Sequence, residues 1–274
     1  MNAVSTHTRT NAVPNSYVGK TAVITGGASG IGYALCKALS QRGALVYAAD
    51  LDETGLSRLQ QECGADLSSV VMNVTDEAAV KTLLDRVVAE RGHLDYLFNN
   101  AGVVVGGDFE NMDFNQWRKI VEINLWGVIY GAQHGYALML KQGSGHIINT
   151  ASTAGVMPVA KSTAYAATKH AVVGLSTSLR EEARKHGIRI SVVVPGLIDT
   201  NIFQTAINLK GHDYDAAMKK VPLRKISPGQ AAKSILAGVE QNRQFIVFPA
   251  YNRAIVFLNR LMPGLMGWLI NKNA

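Results

Sequence analysis

Three side chains in this sequence could together move a proton and hold a hydroxyl or carbonyl group. Ser152 follows an apolar run at 145–150, and Tyr165 and Lys169 stand four residues apart, on one face of a helix. A free tyrosine, with a pKa of roughly 10, is too rarely deprotonated near neutral pH to act as a base. A neighbouring ammonium group lowers that pKa because it stabilises the phenolate. Tyr165 could then take a proton from a hydroxyl group that Ser152 holds.

A second motif is a glycine-rich turn, TGGASGIG at residues 25–32, between an apolar strand at 21–25 and a helix near 30–42. Glycines let the backbone turn tightly and let a ligand come close. The helix start offers unpaired N–H groups and a partial positive charge to a pyrophosphate. The next apolar run, 44–49, ends in Asp50, where an acid would hold an adenosine ribose. This spacing predicts dinucleotide binding, and a plain strand–helix connection is the alternative.

Other stretches lie at the ends of predicted strands or inside helices. The fourth strand ends in NNAG at 99–102, whose small residues permit a close backbone approach. Asn124 stands in a long helix, where an asparagine can also simply bond to the nearby backbone. Ser152 does not fit a hydrolase nucleophile elbow, because Thr150 and Ala154 occupy the positions that need glycine.

The elements that must position these residues alternate along the chain. Apolar runs typical of strands fall at 21–25, 44–49, 69–74, 94–98, 145–150, 188–194 and 244–248. Helical patterns fall near 30–42, 53–62, 76–91, 114–141, 163–186 and 227–241. Seven strands with helices between them predict an α/β fold, a single-domain, doubly wound parallel sheet of the Rossmann-like type with helices on both faces.

In combination, these motifs resemble the short-chain dehydrogenase/reductase family, over roughly residues 18–250 of the chain. The resemblance is carried by the turn at 25–32, Asn99–Gly102, Asn124, Ser152, Tyr165 with Lys169, and Pro195-Gly196 followed by Thr200. It implies an oxidoreductase that passes a hydride between NAD and a secondary alcohol or ketone.

The resemblance also implies a role for each catalytic residue. Tyr165 would be the acid/base, and Ser152 would orient the carbonyl or hydroxyl group. Lys169 would bind the nicotinamide ribose and lower the pKa of the tyrosine. Asn124 would hold a water molecule that links Lys169 to solvent as a proton path.

The cofactor site implied by the resemblance is larger. Gly26, Gly30 and Gly32 would form the diphosphate turn, and Ile198 and Thr200 would lie by the nicotinamide amide. The residues expected to bind NAD are Gly26, Ser29, Gly30, Ile31, Gly32, Asp50, Asn73, Val74, Asn100, Ala101, Gly102, Tyr165, Lys169, Pro195, Gly196, Ile198 and Thr200.

Two positions bear on the adenosine half of the cofactor. Asn73 stands where many relatives carry an aspartate that meets the adenine, and its amide can both accept and donate a hydrogen bond. Asp50 would repel a 2′-phosphate, and Ser29 and Leu51 supply no positive charge to offset that repulsion. The sequence therefore predicts a preference for NAD over NADP.

Bulk properties narrow the class of protein. The 274 residues, 47% of them hydrophobic, suit one α/β domain at 17–250. Cys36 and Cys63 form no disulfide framework, which favours a reducing, cytoplasmic location. Residues 1–16 lack the apolar core of a signal peptide and read as a flexible tail. No apolar run is long enough to span a bilayer, and the histidines show no metal-ligand spacing.

The net charge of +7 resides wholly in the last part of the chain. Residues 201–274 carry 10 basic and 3 acidic side chains, whereas residues 1–200 balance. These charges are scattered and accompany no nucleic-acid recognition motif, so nucleic acid is not the expected partner. The apolar and basic segment 251–274 could lie on a membrane, pack on a partner subunit, or roof the substrate cleft.

The stretch 201–226 breaks the strand–helix rhythm directly after a strand, which predicts a substrate lid; an irregular surface insertion is the alternative. Its apolar residues indicate an apolar substrate, although they could instead pack against helices. The resemblance implies a homotetramer or homodimer with contacts through the long helices at 114–141 and 163–186. A non-catalytic nucleotide sensor or scaffold on the same fold, and an epimerase or dehydratase, are the alternative functions.

Overall fold

A computed structural model describes residues 17–264 of the chain. The predicted tail at 1–16, and residues 265–274 of the predicted C-terminal segment, lie outside this range.

The strands of the described chain are β1 (Thr21–Thr25), β2 (Leu45–Asp50), β3 (Leu67–Val71), β4 (Tyr96–Asn99), β5 (Val105–Gly106), β6 (Gly145–Thr150), β7 (Ile188–Pro195), β8 (Ile207–Asn208) and β9 (Phe245–Phe248). The helices are α1 (Gly30–Ser40), α2 (Glu53–Cys63), α3 (Glu77–Arg91), α4 (Phe114–Val121), α5 (Gly127–Gln142), α6 (Thr163–Ala183), α7 (Tyr214–Lys220), α8 (Pro228–Glu240) and α9 (Ala250–Leu261).

Seven strands form one parallel sheet in the order β3-β2-β1-β4-β6-β7-β9. The order reverses direction between β1 and β4, so the two halves of the sheet are wound in opposite senses. In sheets of this kind a crevice opens beyond the carboxyl ends of the strands at the reversal. The predicted doubly wound α/β fold is confirmed, and its seven strands are those that the apolar runs indicate.

The core lies on both faces of the sheet because neighbouring residues of a strand point in opposite directions. Ile24 of β1 packs in one cluster with Leu35 of α1 and Leu236 of α8. Val23, the preceding residue, packs on the other face with Leu84 of α3 and Met139 of α5. Each such side chain contributes roughly 1.5–3 kcal/mol by its burial. Strands buried on both faces explain why the apolar runs are continuous rather than alternating.

The structure departs from the sequence pattern at β3, which begins and ends earlier than the predicted 69–74. Asn73 has left the sheet, and its side-chain oxygen accepts a hydrogen bond from the amide of Thr75 at 3.0 Å. This local turn competes with strand pairing, as asparagine side chains commonly do.

The predicted helix at 114–141 is not a single α-helix. A π-helical turn, Glu122–Trp126, separates α4 from α5, and the amide of Gly127 bonds to the carbonyl of Glu122, five residues back. Such π turns insert an extra residue into a helix and are frequent at functional sites.

The segment 201–226 has more internal structure than an irregular loop. It contains a short 3₁₀ turn, Asn201–Phe203, then β8 and α7. β8 pairs in parallel with β5, which joins Val105 to Ile207 outside the main sheet. Across the described range, none of the helices combines the length and apolar character required to cross a bilayer.

Candidate active site

A cavity of about 660 Å³ lies beyond the carboxyl ends of the central strands. Its glycine-turn end is lined by Gly26, Ser29, Gly30, Ile31 and Asp50. Its apolar end is lined by Met157, Ile202, Phe203, Met218 and Ile255. The volume is that of a small-molecule or cofactor site.

Backbone packing shapes the glycine-turn end. Gly26 has a φ of +69°, and a Cβ atom there would lie 2.9 Å from the Cα of Ala101. Gly32 packs behind the turn, where a Cβ atom would lie only 1.9 Å from the carbonyl oxygen of Gly26. Gly32 is absent from the residues that line the cavity within 17–264, so its contribution is to the shape of the turn. Side chains at these positions would separate the turn from the loop after β4.

Thr25 and Asn100 tie the ends of β1 and β4 together. The hydroxyl oxygen of Thr25 accepts hydrogen bonds from the amides of Asn100 and Ala101, at 3.0 and 3.1 Å. The side-chain nitrogen of Asn100 donates to the carbonyl of Thr25 at 3.1 Å. These bonds hold Asn100, Ala101 and Gly102 against the glycine turn, where all three line the cavity as expected.

Asp50 occupies the rim of the glycine-turn end, at the tip of β2. One carboxylate oxygen accepts from the amide of Ala28 at 3.0 Å, and the other accepts from the amide of Asp52 at 3.1 Å. Each carboxylate oxygen has a further lone pair for a ligand hydroxyl. Among the described residues that line the cavity, Lys169 is the only lysine or arginine, and Ser29 and Leu51 line the wall near Asp50.

Asn73 and Val74 also line the cavity. The side-chain oxygen of Asn73 accepts from Thr75, so its amide nitrogen and one lone pair of that oxygen remain for an adenine ring. At the opposite side of the cofactor region, Pro195 and Gly196 at the end of β7 line the wall, together with Ile198 and Thr200.

Ser152, Tyr165 and Lys169 all line the same cavity, although they come from two elements. Ser152 follows β6, and the turn after it places its hydroxyl oxygen to accept from the amide of Ala154 at 3.2 Å. Tyr165 and Lys169 lie one turn apart on α6, with the ammonium nitrogen 5.7 Å from the centre of the tyrosine ring. Lys169 is 3% exposed and donates to the carbonyl of Thr150 at 2.8 Å.

Burial dominates the protonation of this group. Burial raises the pKa of Tyr165 above its ordinary range, while hydrogen bonding with Ser152 lowers it and the Tyr214 side chain raises it further. Burial also lowers the pKa of Lys169 to about 8. In the protein without bound cofactor, burial thus outweighs the hydrogen bond with Ser152. The lowering of the Tyr165 pKa by the Lys169 ammonium, whose nitrogen lies 5.7 Å from the ring centre, stays a prediction for the complex with NAD.

Asn124 lies in the π-helical turn and is completely buried. Its side chain pairs with the backbone of Val103, accepting from the amide and donating to the carbonyl, both at 2.8 Å. It also donates to the hydroxyl of Thr168 at 3.4 Å. A Cβ atom on Gly102 would lie 3.2 Å from the oxygen of Asn124 and 3.3 Å from the nitrogen of Lys169. Asn124 thus lies behind the cavity wall, beside Lys169.

The sequence did not single out Tyr214, which lines the apolar end from α7. The tyrosine is buried, and its hydroxyl group shares a 3.1 Å hydrogen bond with Ser162, just before α6. Gly106 makes room for the ring, because a Cβ atom there would lie 1.9 Å from a ring carbon of Tyr214. The sequence signal that could have indicated a helix beginning at Tyr214 was Asp213. Its side chain caps α7 by accepting a hydrogen bond from the amide of Ala216 at 3.0 Å.

The apolar residues predicted to meet a substrate divide into two groups. Ile202, Phe203, Val221 and Leu223 line the cavity. Ile207 and Leu209 instead pack with Val105 and Ile120 in a separate cluster, as the packing alternative allowed.

The C-terminal helix α9 closes part of the apolar end, where Tyr251, Asn252 and Ile255 line the cavity. Asn252 is 2% exposed, and its side-chain oxygen accepts from the hydroxyl of Thr153 at 3.0 Å. Its nitrogen donates to the carbonyl of Val194 at 3.2 Å. α9 is thereby joined to the loop that carries Ser152, a contact that the sequence pattern did not predict.

His134, His146 and His170 have local partners in the structure. His146 is buried beside the hydroxyl of Ser191 at 2.9 Å, and burial lowers its pKa to about 3. His134 lies 3.2 Å from Glu77, and His170 bonds to the carbonyl of Ala166 within its own helix. No cluster of three or more histidine, cysteine, aspartate or glutamate side chains suited to a metal occurs in the described part of the chain.

Comparisons with known proteins agree on one family. The family model of the short chain dehydrogenases matches residues 20–209. The chain is 34% identical to the protein SadH of Mycobacterium tuberculosis over 255 residues, which cover 90% of this chain and 92% of SadH. It is 33% identical to the 3-oxoacyl-[acyl-carrier-protein] reductase FabG of Salmonella typhimurium over 222 residues, 81% of this chain and 90% of FabG.

A solved structure is similar over almost the same length. The crystal structure of a short chain dehydrogenase/reductase from Burkholderia phymatum, in complex with NAD, superimposes with a TM-score of 0.82 and 30% sequence identity. The match covers 91% of this chain and 95% of that one.

Proposed function

Because the chain belongs to the short-chain dehydrogenase/reductase family of oxidoreductases, we propose that it interconverts an apolar secondary alcohol and its ketone, with NAD as cofactor and Tyr165 as the acid/base. The observation that carries this proposal is the position of Ser152, Tyr165 and Lys169 on the wall of one cavity, with Lys169 buried and the other two partly exposed. Lys169 lies beside Gly102, next to the glycine turn, whereas Tyr165 lies near Tyr214 at the apolar end. A hydride donor on one side and a carbonyl group on the other would meet at this group.

The residues at the glycine-turn end fit NAD. The turn at Gly26 presents backbone to the cavity, as a pyrophosphate requires. Asp50 offers acceptors to ribose hydroxyls, and the described cavity wall near it carries no cation for a 2′-phosphate. The similar protein from Burkholderia phymatum is itself a complex with NAD. When bound, NAD supplies the acceptor or donor of the hydride.

The side chains of this protein would handle the oxygen and the proton. The Ser152 hydroxyl binds the substrate oxygen and orients the carbonyl carbon. Tyr165, whose pKa is raised by burial, is protonated at neutral pH and donates its proton to that oxygen as a ketone is reduced. In the reverse direction the phenolate of Tyr165 takes the proton from the alcohol. Before that transfer, the Lys169 ammonium stabilises the phenolate. We also propose that Asn124 holds the water molecule of a proton path from Lys169 to solvent, because the Asn124 side-chain oxygen and the Lys169 nitrogen both lie against Gly102.

The substrate class follows from the apolar end. Ile202, Phe203, Met218, Val221 and Ile255 present hydrocarbon to the cavity, which favours an apolar alcohol or ketone over a charged hydroxy acid. We propose that segment 201–226 acts as the lid over this substrate, and that the enzyme works in the cytoplasm.

The family generally forms oligomers, and we propose that this chain is a homodimer or homotetramer. A shallow depression between α5 and α6, lined by Ile129, Tyr136, Leu175 and Leu179, supports contacts through these helices. Trp126, 42% exposed and stacked on Tyr130, extends the same apolar surface.

The direct test is turnover. The purified chain would be incubated with NAD and a panel of secondary alcohols that runs from apolar rings and long chains to hydroxy acids, and reduced nicotinamide would be followed by absorbance. The reverse assay would include a 3-oxoacyl thioester, the substrate class named for the FabG relative. We expect turnover that favours apolar substrates. Tight NAD binding without turnover of any substrate in either direction would instead indicate a nucleotide-binding protein that is not an enzyme.

A further inference from the structure

The C-terminal helix α9 carries large apolar side chains on its outer side as well as on its inner side. Asn252 and Asn259, seven residues apart, point toward the protein, where Asn259 donates to the carbonyl of Val156 at 3.1 Å. Phe257 and Leu261 point away and are 62% and 60% exposed. A helix on the surface of a globular protein normally places its apolar stripe on the core. The outer face of α9 therefore needs an explanation that packing within the described chain does not provide.

The outer face is a continuous apolar patch. Phe257, Leu258, Leu261 and Met262 are successive neighbours on the helix surface, and each is at least 40% exposed. Grouped exposed residues of this size, unlike single ones, mark a surface that meets a membrane or another protein.

The charge around the patch favours an anionic surface. Arg253 and Arg260 stand on one flank of the helix, both exposed, and Arg260 forms no ion pair with the described residues. The sequence contains no acidic residue after Glu240, whereas it contains four basic ones. The chain after the described range continues with the apolar letters LMGWLI at 265–270 and then Lys272. Aromatic and aliphatic residues flanked by arginine or lysine are the composition of a helix that lies in a lipid interface.

We propose that α9 docks this enzyme flat on an anionic lipid surface, with Phe257, Leu258 and Leu261 at the headgroup boundary and the arginines toward lipid phosphates. The helix would lie on the bilayer and not cross it. This inference does not depend on the proposed reaction, but it gives that reaction a source of substrate. Tyr251 and Ile255, on the inner side of the same helix, line the apolar end of the cavity, so lipid and cavity would lie on opposite sides of one helix.

The test is co-sedimentation of the full chain with vesicles. One set of vesicles contains equal amounts of phosphatidylserine and phosphatidylcholine, and the other contains phosphatidylcholine alone. We expect the wild-type chain to sediment with the anionic vesicles at low salt, and to do so much less with the neutral ones. Arg260→Glu should lower the vesicle affinity about thirtyfold, because a basic residue near an anionic surface contributes on the order of 1 kcal/mol and reversing its charge changes the interaction by about twice that.

The double variant Phe257→Ser with Leu261→Ser should lower vesicle affinity by about tenfold to a hundredfold, because it removes most of the hydrocarbon that enters the interface. Its turnover of a water-soluble substrate should stay at the wild-type level, since neither residue lines the cavity. Val18→Ser and Arg184→Glu, at other exposed positions, are the matched controls and should sediment like the wild type.

Wild-type protein that stays in solution with anionic vesicles at low salt would overturn the proposal. The proposal would also be overturned if the double variant bound vesicles as well as the wild type but had a smaller particle mass by light scattering. That result would show that a second copy of this chain covers the outer face of α9. Because vesicle binding is read without turnover, a failure of the proposed reaction would not be mistaken for a failure of docking.

Discussion

At the glycine-turn end of the cavity the wall is mostly backbone, whereas at the apolar end it is mostly side chains. The glycine-turn end uses short stretches that follow β1, β2 and β4, tied together by Thr25 and Asn100. The apolar end collects residues from the loop after β6, from segment 201–226 and from α9. A backbone wall accepts few changes of sequence, while a side-chain wall can change its substrate by single substitutions. The comparison teaches that one rigid site for the cofactor can serve many substrates.

The largest expected effect comes from the tyrosine where the two ends meet. Tyr165→Phe removes only a hydroxyl group, so kcat/KM should fall by about a thousandfold or more while NAD affinity remains. Turnover and the change of protein fluorescence on NAD binding measure the two quantities. Tyr214→Phe, a change of the same kind in the same cavity, is the control and should mainly raise KM by loosening α7 from Ser162. Equal losses in the two variants would remove Tyr165 from its role as acid/base.

The charge at the glycine-turn end should set the choice of cofactor. Asp50→Asn should reduce the ratio of kcat/KM for NAD to that for NADP by about tenfold to a hundredfold, because a like charge beside a 2′-phosphate is costly in a partly buried site. Asp52→Asn, which removes a charge two residues away on the same wall, should have a smaller effect. If the wild-type protein preferred NADP, the role proposed for Asp50 would be wrong.

A matched pair of glycine substitutions should separate the two ends. Gly26→Ala would press a Cβ atom on Ala101 and strain a positive φ, so NAD affinity should fall about tenfold or more. Gly106→Ala would displace the Tyr214 ring, so KM for the substrate should rise while NAD affinity stays near the wild-type value. Calorimetric titration with NAD and steady-state kinetics read the two effects. Gly174→Ala, which meets open space in α6, is the control. An equal loss of NAD affinity in Gly26→Ala and Gly106→Ala would show that the two ends are not independent.

The smallest expected effect is one of stability. Burial lowers the pKa of Lys169 to about 8 from an ordinary value of 10.5, so the unfolded chain binds more protons between these two pH values. The free energy of unfolding should therefore rise with pH across that window, and the penalty is complete below pH 8. Lys169→Met should abolish turnover yet stabilise the protein without bound cofactor at pH 7 by about 1 kcal/mol, after the loss of the bond to Thr150.

Urea unfolding at pH 7 and at pH 10 measures this difference. Lys233→Met, an exposed lysine on α8, is the control and should leave the pH dependence of the wild type in place. A Lys169→Met variant that is less stable than the wild type at pH 7, with an unchanged slope against pH, would show that burial does not penalise this ammonium group.

The sequence predicted the glycine-turn end well because its information is local. A strand, a glycine turn, a helix start and an acid at the next strand end fall within residues 21–50, and parallel strands must bring such ends together. The places of Asn100, Ala101 and Gly102 in the wall could be predicted for the same reason. The apolar runs were likewise sufficient for the sheet, since its central strands β1, β4 and β6 are buried on both faces and so read as continuous apolar segments.

The apolar end could not be derived in this way. The position of the Tyr214 ring depends on Gly106, which has no side chain to occupy that space and lies more than a hundred residues earlier in the chain. Ile202 and Ile207 look alike in the sequence, yet only the first lines the cavity, because β8 pairs with β5 and directs Ile207 into another cluster. The position of α9 at this end depends on the hydrogen bond between Asn252 and Thr153, which are 99 residues apart in the chain.

The amino-acid sequence by itself determined the parallel sheet, the glycine turn, the acid at Asp50 and the presence of a serine, a tyrosine and a lysine able to move a proton. Tertiary structure alone decided which residues line the apolar end of the cavity and in which direction the pKa values of Tyr165 and Lys169 are shifted. Local patterns carry backbone geometry because each residue constrains its neighbours. Burial and contact depend on residues that are distant in sequence, and it is burial that raises the pKa of Tyr165 and lowers that of Lys169.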